Sequence, residues 1–193
     1  MPLSNAEMND DLKDEAIVAQ VQKGDADSFR LLVERYEAKM ARYARRFLFD
    51  GDEAKDLLQE IFIKAYVNIQ SFDVTRRFSP WIYRIAHNEF VNAIKKRKKE
   101  SNLISLNYLD VLFPHPLAKE TADSDMNRKE LKALLDTSLD KISPRYREPL
   151  TLYYYEEMDY REIAEIMQVP VSTVGVWLQR GRAQLRKTIG EKQ

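Results

Sequence analysis

The sequence predicts an all-α protein built from two helical domains joined by a linker, and three observations carry this reading. From Glu15 onward apolar residues recur at spacings of three and four, and sustained alternation appears nowhere. A composition of 44% hydrophobic and 32% charged residues, with five Gly and seven Pro, excludes disordered, collagen-like and low-complexity chains. The period is lost between Ser101 and Asp125, around Pro114, His115 and Pro116, so a domain boundary belongs there.

A flexible acidic tail is expected over residues 1–15, before a first amphipathic stretch with Ile17, Val18 and Val21 that ends near Gly24. The next helix runs from Asp25 and carries Phe29, Leu32, Val33, Tyr36, Met40, Tyr43, Ala44 and Phe47 on one stripe. Asp50 to Glu53 has the spacing of a capping box, and the helix it opens holds Leu57, Leu58, Ile61, Phe62, Ala65, Tyr66 and Ile69. Gln70 to Ser79 breaks the pattern and reads as an ordered loop. A fourth helix follows from Pro80, tolerated in the first turn, to about Lys98. These elements make a first domain over residues 16–99, and residues 100–126 form a linker with a short apolar anchor at Leu103 to Leu112.

The second domain, residues 127–193, opens with Leu131, Leu134, Leu135 and Leu139 and restarts at Ser143-Pro144, an N-cap followed by proline. Asp159 to Glu162 is another capping box, before a short helix with Ile163, Ala164 and Ile166. After Met167 to Pro170 a last helix reaches about Ile189.

The net charge of zero hides an uneven distribution. Arg84 to Lys99 holds six basic residues against Glu89 alone, and the tail from Gly175 holds five against Glu191, whereas Ala118 to Asp140 is acidic. Two basic runs that each end an apolar-periodic helix suggest two contacts on a polyanion. The absence of Cys excludes disulfides and thiolate zinc sites, and the two His, His87 and His115, read as surface residues. No phosphate-binding glycine loop or nucleophile elbow occurs, so no catalytic residue, metal, cofactor or small-molecule substrate is assigned. No stretch approaches the roughly 18 apolar residues of a membrane span and the start is acidic and polar, which places the protein in the cytoplasm without membrane insertion.

The sharpest local signal is Asp159 to Leu185, two short apolar helices joined by a tight connection at Gln168 to Pro170, the spacing of a helix-turn-helix. With Val174, Leu178 and Leu185 facing inward, Ser172, Thr173, Gly175, Val176, Gln179 and Arg180 face out, and Arg182, Arg186 and Lys187 suit phosphates.

Here the sequence resembles the bacterial sigma-70 family. Val169 to Val174, followed by Arg180-Gly181-Arg182-Ala183 and Leu185, is similar to the family's promoter-reading helix-turn-helix, and Asp56-Leu57-Leu58-Gln59-Glu60-Ile61-Phe62 matches its D-x-x-Q-E-x-F signature. Phe78 to Asn88 resembles its W-L-Y-R-I-A-x-N segment. The two-domain layout resembles the extracytoplasmic-function (ECF) group, which keeps only sigma domains 2 and 4. The chain departs from many members at Gly175 and at Trp177.

The resemblance implies a transcription initiation factor, with core RNA polymerase and promoter DNA as partners and an anti-sigma factor as a third. Asp56, Gln59, Glu60 and Phe62 would meet the basic clamp helices of the polymerase's largest subunit. Phe72, Arg76, Arg77 and Phe78 offer the aromatic and basic types needed to hold an unstacked minus-ten base. Tyr83, Arg84, His87, Asn88 and Asn92 would continue that surface, Lys95, Lys96 and Arg97 would hold phosphate, and Trp81 would pack the loop against the helix. Ser172, Thr173, Val176, Gln179, Arg180, Arg182, Arg186 and Lys187 would face the minus-35 element. The competing readings are a helix-turn-helix regulator that binds duplex DNA without polymerase, and a helical adaptor that binds only proteins. Neither has a reason to carry both the Asp56 to Phe62 signature and the aromatic-basic loop.

Overall fold

A computed structural model describes residues 12–46, 51–101 and 141–190. Every regular element among the described residues is helical. The chain divides into two compact units, Met1–Lys96 and Arg97–Gln193, each described by itself. Of the expected linker, residues 100 and 101 belong to a helix and the rest lies outside the described residues, as do the leucine-rich helix after it and Asp50 of the first capping box.

The first unit holds α1 (Asp14–Gln22), a 3-10 turn (Ala26–Ser28), α2 (Phe29–Arg46), α3 (Gly51–Asn68), a second 3-10 turn (Ile69–Ser71) and α4 (Phe78–Ser101) up to Lys96. Its core is unusually aromatic: Tyr36, Tyr43, Phe78, Tyr83 and Phe90 are fully buried beside Leu32, Met40, Ile61, Ile69 and Ile82. Tyr43 meets Tyr83 edge-on and Phe90 at a tilt, at centroid distances of 5.0 and 5.4 Å, separations at which rings gain beyond their buried area.

Two residues expected in the flexible tail are instead anchored. Asp14 opens α1 and accepts bonds from Arg35 Nη1 (2.9 Å) and Tyr36 Oη (2.6 Å). Burial, with the Asp14 carboxylate next, raises the Tyr36 hydroxyl pKa well above its ordinary value, so it stays a neutral donor. Glu15 Oε1 accepts the backbone N–H of Phe78 at 2.8 Å. With that donor satisfied from another helix, α4 begins at Phe78, two residues before the expected Pro80, and Pro80 still falls in the first turn.

The second unit contains α5 (Pro144–Tyr154), α6 (Tyr160–Met167) and α7 (Val171–Gly190). Ser143 takes the cap position of α5 without a side-chain cap bond, and its own N–H donates to Gln184 Oε1 on α7 at 3.0 Å. The Asp159 box forms as expected: Asp159 Oδ1 accepts from the N–H groups of Arg161 and Glu162 at 2.8 Å, and Glu162 Oε2 accepts the Asp159 N–H at 2.9 Å. At the other end of α6, Gln168 turns left-handed (φ 55°) while Val169 N–H reaches back to the Ala164 carbonyl at 3.1 Å. This is a Schellman-type stop, and Pro170 then accepts the first bond of α7 from Thr173 N–H at 2.9 Å.

Gly181 sits where α7 crosses α5. A Cβ there would lie 2.8 Å from Leu150 Cδ1 and 3.0 Å from Tyr146 Cβ, so the crossing distance depends on the missing side chain.

Candidate functional site

Three surfaces can be built from the helices upward. On α3 the apolar residues Leu57, Leu58, Ile61, Phe62 and Ala65 are buried on one side. Asp56, Gln59 and Glu60 are exposed on the opposite side, which follows from about 100° of rotation per residue. Ile63 (61% exposed), Tyr66 and Val67 (70% exposed) extend the same stripe. The outer face of α3 is therefore acidic in its first half and apolar in its second. Phe62 belongs to the core and not to this face, a correction to its expected place; six positions after Asp56 it has turned inward. Tyr66, expected on the inner stripe, is exposed, and Ile63 and Val67 are singled out only by their exposure, which no polar spacing announces.

The second surface is formed by the loop before α4 and by the helix itself. Arg84, Asn92, Lys95, Lys96 and Arg97 are exposed and Asn88 is half-buried, and Arg84, Asn88, Asn92 and Lys95 recur at spacings of four, four and three. Tyr83 and His87, expected on this face, are buried, His87 to 5%. Tyr83 lies one position from exposed Arg84 and turns toward Tyr43, and His87 lies one position from half-buried Asn88 and turns toward the core. His87 is thus not the surface residue expected.

Phe72 and Phe78 are also buried. Phe72, Phe78 and Trp81 form an aromatic triangle with centroid distances of 5.2 to 5.6 Å, and Phe78 also meets Tyr36 at 5.5 Å. Burying two phenyl rings stabilises the loop by roughly 1.5–3 kcal/mol each, which opposes their use as an open stacking platform. What the loop exposes is Asp73, Val74, Thr75, Arg76 and Arg77, beside a half-buried Trp81 that packs the loop onto the helix. Lys64 of α3 is ion-paired to Glu89, the one acid within the basic run, and so ties α4 to α3.

The loop backbone is shaped by Asp73, whose carboxylate accepts from Thr75 N–H at 2.9 Å and Thr75 Oγ1 at 2.7 Å. These bonds, backbone first, hold the Asp73 pKa below its ordinary value. A depressed carboxylate pKa contributes order that is complete above the unfolded value of about 3.9 and is lost as pH falls through the folded value. Acid titration followed by the Thr75 amide resonance is expected to give a midpoint below that of a free aspartate. A midpoint at or above it contradicts the turn.

The third surface is α7. Val174, Trp177, Leu178 and Leu185 are buried, so the expected inward set gains Trp177. Ser172, Arg180 and Lys187 are exposed and Thr173, Val176, Gln179 and Arg186 half-buried, which leaves an outer stripe along the helix. Arg182 is the exception: it is 6% exposed, on the inner side. Burial opposes its charge, but hydrogen bonds to the hydroxyls of Tyr154 and Tyr160 outweigh that and raise its pKa. Its expected phosphate contact is corrected to an internal one, holding α7 against α5 and α6.

Comparison with known proteins identifies the family of the chain. Residues 32–100 match Sigma-70 region 2 and residues 132–185 match Sigma-70, region 4. The ECF RNA polymerase sigma factor SigW of Bacillus subtilis (strain 168) is 36% identical over 182 residues, covering 89% of this chain and 94% of the relative. The chain belongs to the sigma-70 family, in its ECF group. The ECF RNA polymerase sigma-E factor of Escherichia coli (strain K12) is 34% identical, covering 91% of this chain and 93% of its own length. Among solved structures, CnrH in complex with the cytosolic domain of CnrY has a TM-score of 0.63 at 23% identity, covering 93% of this chain and 99% of that one. The sigma factor RpoE in complex with the anti-sigma factor NepR from Bartonella quintana has 0.59 at 22%, covering 84% of this chain and 96% of that one. These two likenesses bear on the fold of this ECF chain. Among its described residues no helix is long and apolar enough to cross a membrane.

Proposed function

We infer that this protein is an ECF sigma factor that binds core RNA polymerase, directs it to specific promoters and helps open the DNA. The observation that carries the reading is the pair of region matches in family order, together with relatives of at least 34% identity over nearly their whole length. Its work is binding and strand separation, in the cytoplasm, and the polymerase performs the chemistry.

The residue roles are our assignment. The stripe of Asp56, Gln59, Glu60, Ile63 and Val67 is the polymerase surface: acids answer a basic partner, and the apolar half removes exposed hydrophobic area that a folded domain alone leaves in water. Arg76 and Arg77 of the loop, with Trp81 and the α4 stripe of Arg84, Asn88, Asn92 and Lys95, form the minus-ten surface, with Lys96 and Arg97 on backbone phosphate. An anti-sigma factor that covers the α3 stripe would block polymerase by occupying the same acids.

In vitro transcription with purified core polymerase and a promoter library tests the function. Promoter-specific transcripts that require this protein are expected; binding to duplex promoter DNA without any gain in transcription would favour a polymerase-independent regulator.

For α7, Gln179 and Arg180 are expected to carry much of the minus-35 readout, since Gln matches adenine and Arg guanine at two positions each, worth roughly 1–3 kcal/mol of discrimination. Ala at either position should relax base preference at one or two positions. Arg186→Ala should instead weaken all sequences alike and reduce the salt slope by about one phosphate contact. Holoenzyme binding to single-base promoter variants at two salt concentrations reads both. An unchanged preference in both the Gln179 and Arg180 variants moves the readout to Ser172, Thr173 and Val176.

A further inference from the structure

The helix α1 ends before residue 32, where the region 2 match begins, yet its side chains reach both ends of the minus-ten loop. Gln22 Nε2 donates to the Ile69 carbonyl at 2.7 Å and to the Phe72 carbonyl at 2.8 Å, at the loop's start. Glu15 Oε1 accepts Phe78 N–H at 2.8 Å, at its end. Helix α1 is itself fixed to α2 through Asp14, Arg35 and Tyr36, and Arg35 Nη1 also holds the Leu12 carbonyl at 2.6 Å. The loop is therefore held at two points by one short, anchored helix.

We propose that α1 sets the position of the minus-ten loop, with Gln22 and Glu15 as positioning residues for promoter opening. The proposal rests on the reading of the Arg76–Arg77 loop as the base-capturing surface. The chemistry at each contact is specific. Gln22 uses one amide group to bridge two carbonyls three residues apart, a task that needs two N–H donors on one nitrogen, and Glu15 supplies the acceptor that the first N–H of α4, which has no partner within its own helix, requires. Neither side chain lies among the exposed loop residues, so each acts through the loop. A shift of about 1 Å in a binding element can cost on the order of a hundredfold in rate, which makes two such tethers consequential for a site that must trap a base as it leaves the stack.

The test uses full-length protein in holoenzyme. Gln22→Glu replaces both donors by acceptors facing carbonyls, Gln22→Ala and Glu15→Ala remove the contacts, and Glu15→Gln keeps an acceptor oxygen. Permanganate reactivity of unpaired thymines reads opening, on duplex and on pre-melted promoters, and single-base promoter variants read minus-ten preference. Gln22→Glu, Gln22→Ala and Glu15→Ala are expected to lower opening on duplex by about tenfold or more and to flatten base preference, while pre-melted template restores activity and core affinity is unchanged. Glu15→Gln should remain close to the parent protein. If Gln22→Glu does not fold, the two Ala variants carry the test alone.

The Arg76→Ala, Arg77→Ala double variant separates the two levels of the argument. If it loses base preference while the folded Gln22 and Glu15 variants keep both preference and opening, the positioning role is wrong and the loop reading stands. If it too leaves preference and opening unchanged, the loop reading fails and the positioning role with it. Equal failure of the Gln22 and Glu15 variants on duplex and pre-melted promoters also overturns the proposal, because a general folding defect then explains them.

Discussion

The double reversal Asp56→Lys, Glu60→Lys is expected to weaken core polymerase binding by on the order of 3 kcal/mol, more than a hundredfold in Kd, with the helical content unchanged. Both carboxylates are exposed on the outer side of α3, and exposed surface substitutions usually alter stability by no more than about 0.5 kcal/mol. Against a basic partner, each reversal removes an attraction and adds a repulsion at short range. The apolar half should respond differently: Ile63→Ser and Val67→Ser lose buried area without repulsion, so their defect should be smaller and nearly independent of salt. Fluorescence anisotropy with labelled protein and purified core, at two ionic strengths, distinguishes these signatures. Full retention of affinity by the double reversal would remove α3 from the interface.

Gly181→Val is expected to destabilise the second unit by about 3 kcal/mol, because a branched side chain must enter a crossing already closed by Leu150 and Tyr146. Leu150 could move its Cδ1 aside, but Tyr146 Cβ is fixed to the α5 backbone, so the helices themselves must separate. Gly181→Ala is the informative comparison. Alanine gains about 1 kcal/mol of helix propensity over glycine, so any net loss means an overlap cost larger than that gain by the amount lost. Hydrogen exchange of the α7 amides reports this unit independently of the other, which matters because a two-unit chain need not unfold in one step. Faster exchange in both variants is expected. Slower exchange in Gly181→Ala would mean that the crossing has slack.

The fold and much of the outward-facing polar surface were legible because helices sort residues by angle, and polar runs at three and four mark an outer stripe whatever they bind. Arg84, Asn88, Asn92 and Lys95, and likewise Ser172, Gln179 and Lys187, follow from that alone. The misassigned residues share a physical cause: each has a polar or aromatic end that suits a ligand and a body that suits a core. Tyr83, His87, Phe72, Phe78 and Arg182 all went inward, and sequence type alone does not reveal that Arg182 meets two tyrosine hydroxyls. Exposed Ile63 and Val67 are the mirror case. The contacts of Gln22 with Ile69 and Phe72 lie about fifty positions apart in the chain, beyond the reach of any local period.

In the role proposed for it, the loop between α3 and α4 bears on the thermodynamics of promoter opening. Its backbone is already committed: Phe72 N–H bonds the Ile69 carbonyl at 3.1 Å, Arg76 N–H the Asp73 carbonyl at 2.9 Å, and Thr75 and Phe78 N–H meet carboxylates. Ordering a disordered segment costs roughly 1–2 kcal/mol of conformational entropy per residue. Here that loss was taken during folding, and capture of a DNA base need only restrict side-chain rotamers, at most about 2 kcal/mol for a long side chain. Opening should therefore carry little entropic penalty from the protein, so that the temperature dependence of the step reflects the unstacking of the DNA.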